Sequence, residues 1–250
     1  ITGYTGAGGR LVIPATIFGV PVTGIGEEAF TKKEVKQDGF RSYTTYLGVG
    51  LTSVIIPDSV TSIGERAFYI WPVKDVNQLT SVVIGNKVTS IGERAFFGNR
   101  LTSVVIPDSV TSIGQSAFSE NRLTSVVIGN SVTYIDERAF SGNQLTSVVI
   151  PNSVRGISNH VFSENQLTSV VIGNSVTRIG GGAFANNRLT SVVIGNNVTI
   201  GILDYEAFFS RDSKGKLVSS GFEAFYKKNK KKAGTYTRPN ANSQKWTWKP

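Results

Sequence analysis

A 22-residue period constrains the fold of this chain more than any other feature. The string LTSVVIPDSVTSIGQSAFSENR, from Leu101 to Arg122, recurs with its leading leucine at Leu123, Leu145, Leu167 and Leu189. Earlier copies begin at Leu51 and Leu79, and a degenerate first copy, RLVIPATIFGVPVTGIGEEAF, ends at Phe30. A unit this short cannot bury its own apolar face, so successive units must stack, and stacking turns every repeated position into a ladder.

Counted from its leucine, the unit is apolar at positions one, four, six, ten, thirteen and eighteen. Position four is valine from Val54 to Val192, position six isoleucine from Ile56 to Ile194, and position eighteen phenylalanine from Phe68 to Phe208. The β-branched run TSVVI, alternating with period two, predicts a strand whose positions four and six face inward and whose positions three and five face outward. Pro or Gly at position seven, then Asp or Asn at position eight, ends that strand in a turn. A second extended piece, VTSIG, leads into a helical or 3₁₀ turn carrying an Ala-Phe pair. Eight strands stacked about 4.8 Å apart predict a sheet about 34 Å long. Residues 1–210 therefore read as a mainly β solenoid of about eight repeats, a right-handed coil, with insertions at 31–46 and 69–74. Residues 211–250 read as a basic C-terminal cap or extension.

The chain contains no cysteine, no methionine and one histidine, which excludes disulfide frameworks, thiolate metal sites, cysteine nucleophiles and multi-histidine metal centres. A 40% hydrophobic share is enough for a sizeable core. No run approaches the roughly 20 apolar residues of a membrane-spanning helix. A start at Ile1, without initiator methionine or apolar leader, is the pattern of a processed or truncated soluble form. The net charge of +9 is local: Ile1 to Ser210 holds 15 basic and 15 acidic residues, whereas Arg211 to Pro250 holds 11 and 2. A basic tail on a neutral body argues against a nucleic-acid-binding surface along the protein.

At the repeat residues the sequence resembles the BspA-like, or treponemal-type, class of leucine-rich repeat proteins of bacterial surfaces and secretions. The general pattern L-x-x-L-x-L-x-x-N-x-L is met at Leu101, Val104 and Ile106, with the Asx one place early at Asp108 and the next apolar residue at Val110. That offset and the trailing SIGxxAF set this class apart from longer repeats, and the match covers about residues 10 to 208. GYTGAGG resembles the family's entry segment, and AFYKKNKKKAGTYT with Trp246 and Trp248 resembles the C-terminal extension of spirochaetal members. The resemblance implies a leucine-rich repeat solenoid that is secreted, periplasmic or exposed on a bacterial cell surface. It also implies adhesion to host matrix proteins, to cell-surface proteins or to other bacteria.

Catalytic chemistry finds no constellation. His160 has no accompanying nucleophile, orienting partner or second histidine, and reads as an exposed repeat-to-repeat substitution. Glu65, Glu93 and Glu137 beside Arg66, Arg94 and Arg138 read as a solvated row of ion pairs, each worth about 0 to 1 kcal/mol. Gly6, Gly8 and Gly9 lead into no phosphate-binding fingerprint. The position-eight column from Asp58 to Asn196 lacks the nonapeptide of calcium-binding β-rolls, so its side chains are expected to bond backbone at each turn. No catalytic residue, metal site or cofactor is expected.

Three features carry functional content. Alternation places Ser103 with Val105, Ser125 with Val127 and Ser147 with Val149 on the outer sheet face, and seven such pairs predict an apolar patch of roughly 300 Å². The two insertions add 16 and 6 residues at the same point of consecutive coils and should lie side by side. They bring Phe40, Tyr43, Tyr46 and Trp71 together with lysines and an arginine, the composition of a binding hot spot or of an aromatic cap. In the tail, Phe222, Phe225 and Tyr226 at helical spacing are expected to seal the last coil. Lys227, Lys228, Lys230, Lys231 and Lys232 form either a solvated face or a patch for anionic surfaces.

The expected function is a non-enzymatic module that binds protein partners through the strand face and the insertions. The alternatives are polyanion binding through the lysine run, toward a glycosaminoglycan or another anionic surface, and a self-associating structural protein. No specific nucleic acid partner is expected.

Overall fold

A computed structural model describes residues 1–6, 8–38, 41–71, 78–201, 207–211 and 217–250. Each repeat makes one coil with three sides. The first side carries the TSVVI strands: Gly9–Val12, Leu51–Ile55, Ser81–Val83, Ser103–Val105, Ser125–Val127, Ser147–Ile150, Ser169–Ile172 and Ser191–Ile194. Neighbours pair parallel and in register, as Ser147, Val148, Val149 and Ile150 do with Ser169, Val170, Val171 and Ile172. The single sheet expected there is divided into three runs, and the last is closed by the antiparallel strands Gly234–Thr237 and Thr247–Lys249. Three-residue strands offer few ladder bonds each, so a small twist between coils is enough to interrupt the ladder.

The unbroken eight-stranded sheet is on the second side, made by two-residue strands from Gly24–Ile25 to Thr199–Ile200. Its isoleucines, Ile25, Ile63, Ile91, Ile113, Ile135, Ile157, Ile179 and Ile200, are in register and buried. Glycine at position fourteen lets the coils approach: a Cβ on Gly92 would lie 2.7 Å from Gly64 C and Glu65 N.

The third side differs from the expected helical or 3₁₀ turn. Among the described residues the one helix is α1 (Phe222–Lys228). The Ala-Phe segment is instead a pair of hydrogen-bonded turns that pivot on a left-handed residue at position sixteen: Glu28, Arg66, Arg94, Ser116, Arg138, His160 and Gly182, with φ between 50° and 64°. Left-handed residues end a right-handed helix. They turn alternate N–H groups along the stack instead, so Phe68 N, Phe96 N and Phe118 N each donate to the alanine carbonyl of the next coil at 2.8 Å. This third ladder pairs backbone that the burial of the Phe column would otherwise strand.

The core is a set of columns. Phe30, Phe68, Phe96, Phe118, Phe140, Phe162, Phe184 and Phe208 stack with ring centroids 4.7 to 5.6 Å apart and interplanar angles of 3° to 15°. Tyr4 closes the column at one end and Phe222 of α1 at the other. Tyr226 ties α1 to the last coil: its hydroxyl donates to Gly195 O at 2.7 Å and accepts from Val198 N at 3.1 Å.

A fourth column was not legible as one. Asn99, Asn121, Asn143 and Asn165 at position twenty-one are buried, and Asn187 is half-buried. Asn121 Oδ1 accepts from Leu101 N at 3.1 Å, closing its own coil, while its Nδ2 donates to Phe96 O at 2.9 Å in the coil before and to Phe118 O at 3.1 Å. The position-eight Asx residues, by contrast, are exposed. Asp58, Asp108 and Asn152 accept from the backbone N of Asn86, Asn130 and Asn174 in the following coil.

Candidate functional site

The outer face of the first side presents Val83, Val105, Val127, Val149 and Val171 in an exposed row, with Val105 and Val149 both 62% exposed. The row is shorter than the seven residues expected, because Ile55 and Val193 at its ends are half-buried. Ser103, Ser125 and Ser147 flank the valines and are exposed. Along this face Val127, Val149, Val171 and Val193 line a groove of about 740 Å³. The groove is uncharged, because its position-eight members are Asn130, Asn152 and Asn174, whereas Asp58 and Asp108 stand at that position in coils outside it. Such a surface can desolvate against a partner's apolar side chains, but it holds no group able to transfer a proton.

The first insertion is the hairpin Thr31–Asp38 and Arg41–Gly48, in which Tyr43 pairs with Lys36 and Tyr46 with Lys33. Tyr46 and Trp71 exchange backbone bonds at 2.7 and 2.8 Å, which joins the two insertions. Tyr46 meets Tyr69 edge-on at 5.1 Å, Tyr69 and Trp71 both lean on Phe97, and Lys33 Nζ lies 5.7 Å from the Tyr46 ring centroid. Lys33 also pairs with Glu28 at 2.7 Å, a bond that raises its pKa. Trp71 is 48% exposed at the edge of this ledge. Phe40 and residues 72–77, with Lys74 and Asp75, lie outside the described residues.

The lysine run sits at the end of α1. Lys227, Lys228, Lys230 and Lys232 are exposed, whereas Lys231 is half-buried and its carbonyl accepts from Asn197 N at 2.9 Å. Lys230 and Lys231 are consecutive left-handed residues, φ 54° and 53°. Lys232 Nζ lies 5.2 Å from the Trp248 ring centroid.

His160 is half-buried rather than exposed, and its ring covers Gly182 of the next coil, where a Cβ would meet it at 2.4 Å. Burial, and then the Arg138 charge, push its pKa down. The adjoining carboxylates pair with arginines as the sequence predicts: Glu65 with Arg66 at 2.6 Å, Glu93 with Arg94 at 2.7 Å, and Glu137 with Arg138. Phe18 is a further exposed residue that the periodicity did not single out. It stands at the tip of the hairpin Thr16–Ile17 and Val20–Pro21 with φ 49° and is wholly exposed. The signal for it was an apolar residue before Gly19, where a tight hairpin favours Asn or Asp.

The repeat sequence matches the family described as the BspA type leucine-rich repeat region over residues 14–98, 39–166 and 89–214, in six copies. This chain belongs to that family. Among solved structures the BspA type solenoid seen here is similar to the leucine-rich repeat protein of T. pallidum, at 26% identity over 73% of this chain and 78% of that one, with a TM-score of 0.57. It is also similar to a leucine-rich repeat protein from Bacteroides ovatus, at 25% identity over 81% of this chain and 50% of that one, with a TM-score of 0.59. No curated protein matches it. Among the described residues no helix is long and apolar enough to cross a membrane.

Proposed function

We propose that this chain is a non-enzymatic protein-binding module, secreted or displayed on a bacterial surface, that grips its partner with the valine row and with the aromatic ledge of the insertions. The observation that carries this reading is the exposed row from Val83 to Val171, whose last three valines line an uncharged groove. Five β-branched residues held in water by a rigid ladder form a patch on the scale at which monomers hide surface against partners. Tyr46 and Trp71 supply the aromatic anchors that dominate binding energy in such interfaces. Membership of a bacterial leucine-rich repeat family supports the extracellular placement.

The test is surface plasmon resonance against a panel of extracellular matrix proteins. Val105→Lys, Val127→Lys and Val149→Lys together place three charges on exposed positions, so thermal unfolding is expected to stay close to that of the native chain. Binding is expected to fall by about 100-fold or more, or about 2.7 kcal/mol. Unchanged binding would put the interface elsewhere.

A second reading concerns the lysine turn. Two consecutive lysines hold left-handed conformations that Gly or Asn adopts more cheaply. Lysine at such positions supports a role for the charge itself, toward a sulfated glycosaminoglycan. The intact chain is expected to elute from heparin at higher salt than a variant with Lys227, Lys228, Lys230 and Lys232 replaced by Ser. Equal elution at low salt would remove this reading.

A further inference from the structure

The interior coils repeat so closely that departures from the repeat mark places where the chain does something other than stack. Position twelve is Ser62, Ser90 and Ser112 in three successive coils, then Tyr134, Gly156 and Arg178 in the next three. Position fourteen is Gly64, Gly92 and Gly114, then Asp136, Ser158 and, again glycine, Gly180. These departures are neighbours in space, because Tyr134, Gly156 and Arg178 pair in one row of the eight-stranded sheet.

The change at position fourteen works against packing. A Cβ on Gly64, Gly92 or Gly114 would fall 2.7 Å from backbone of the preceding coil, and Asp136 and Ser158 carry such a Cβ. Two of the bonds between their two coils are longer than their counterparts among the glycine coils. Arg138 N reaches Asn159 O at 3.1 Å and Arg155 N reaches Thr133 O at 3.3 Å, where Arg94 N and Thr89 N make the equivalent bonds at 2.8 Å. Overfilled contacts of this kind destabilise. What they deliver is a cluster of polar groups on an otherwise plain sheet.

The cluster surrounds a groove of about 310 Å³. Tyr134, 48% exposed, stands at one wall and Arg178 at the other. Gly156 leaves the row between them without a side chain, a gap of about 10 Å across two rungs. The Ser158 hydroxyl donates to Tyr134 Oη at 3.1 Å, and the Tyr134 O–H donates to Asp136 Oδ1 at 3.4 Å. Asn159 Oδ1 accepts from Gly181 N at 2.9 Å, while its amide NH₂ and the Arg178 guanidinium have no partner among the described residues. Glu137 is held by Arg138, so the groove sets Asp136 against Arg178 with no net charge.

We propose that this groove binds one hexose ring of a neutral glycan. The exposed phenol offers a face for the apolar side of a sugar ring, and a carboxylate, an amide, a hydroxyl and a guanidinium offer directed partners for its hydroxyls. Asp136 opposes an anionic ligand, and the absence of a second carboxylate free of pairing in the groove opposes a cationic one. An extended peptide finds no open strand edge here, because the rungs are already paired.

The experiment is ¹H–¹⁵N NMR of the full chain with lactose, maltose and mannobiose as separate probes. Saturable shifts are expected at the amides of Tyr134, Gly156, Asn159 and Gly180, with a Kd of about 1 mM or tighter for at least one sugar. The triple variant Tyr134→Ser, Asp136→Gly, Ser158→Gly restores the sequence of the preceding coils at these positions. It is expected to unfold at a higher temperature than the native chain and to bind the sugar at least about tenfold more weakly. The proposal is overturned by silence with all three sugars, by shifts that persist in the triple variant, by a triple variant that unfolds earlier, or by equal shifts with glycine as the probe. None of these residues lies on the strand face, so either site can fail without the other.

Discussion

Asn143 shows how much one side chain carries in this architecture. Its Oδ1 accepts from Leu123 N at 3.0 Å, and its Nδ2 donates to Phe118 O at 2.9 Å and Phe140 O at 3.1 Å, all of them buried. Each buried group left unpaired costs about 1 to 3 kcal/mol. Asn143→Ala is therefore expected to destabilise the chain by roughly 3 kcal/mol or more, read as a fall in the urea midpoint, whereas Asn130→Ala at an exposed position is expected to change it little. The column escaped the periodicity because its neighbours vary between Gly, Glu and Asn before it and Arg and Gln after it, which reads as a loop. The Asx of position eight drew the comparison with the general repeat instead, although it is solvent-exposed. His160 gives a pH-dependent counterpart. Burial and Arg138 lower its pKa in the folded chain, so the unfolded chain binds the proton more readily. Its contribution is present above the ordinary value of about 6.5 and is lost as pH falls below it. His160→Asn, which tolerates the left-handed backbone, is expected to flatten the dependence of the unfolding temperature between about pH 5 and 7. A dependence as steep as the native one would show that another group sets it.

At the scale of the element, the coil is a closed turn of chain held by three ladders and filled by one ring per repeat. Phe140 is buried between Phe118 and Phe162, with centroids at 5.4 and 5.5 Å and planes within 3°. Truncating it leaves a cavity that neighbouring coils cannot close without breaking their own bonds. Phe140→Ala is expected to cost about 3 to 5 kcal/mol, measured by chemical denaturation. The strand, the inward positions and the Phe column were all readable, because period two and identical residues at a fixed spacing leave one arrangement that buries them. The third side was not. Whether Arg66, Ser116 or His160 adopts a positive φ depends on the backbone bonds of the next coil, and among these positions only Gly182 hints at it in sequence. The same limit hid the Tyr134 groove. Its residues stand 22 apart, and they become one site only when coils five to seven are stacked in register.

As a whole molecule, the solenoid places its candidate surfaces apart. The valine row lies on the first side, the Tyr46 and Trp71 ledge on the insertions near the N-terminus, the Tyr134 groove on the eight-stranded sheet, and the lysine turn at the C-terminal end. The net charge of +9 belongs to that end, and the coils themselves are neutral, so the proposed valine-row interface would work by desolvation rather than by net charge. Salt is therefore expected to affect partner binding through the valine row weakly and heparin retention strongly, a difference that titration with sodium chloride would reveal. The most direct test of the account is hydroxyl-radical footprinting of the chain bound to whichever matrix protein it captures, read by mass spectrometry at single side chains. Protection is expected at Val105, Val127, Val149 and Trp71, with Tyr134 and Lys228 oxidised as in the free chain. Protection centred on the lysine turn or on the Tyr134 groove, with the valines unchanged, would contradict it.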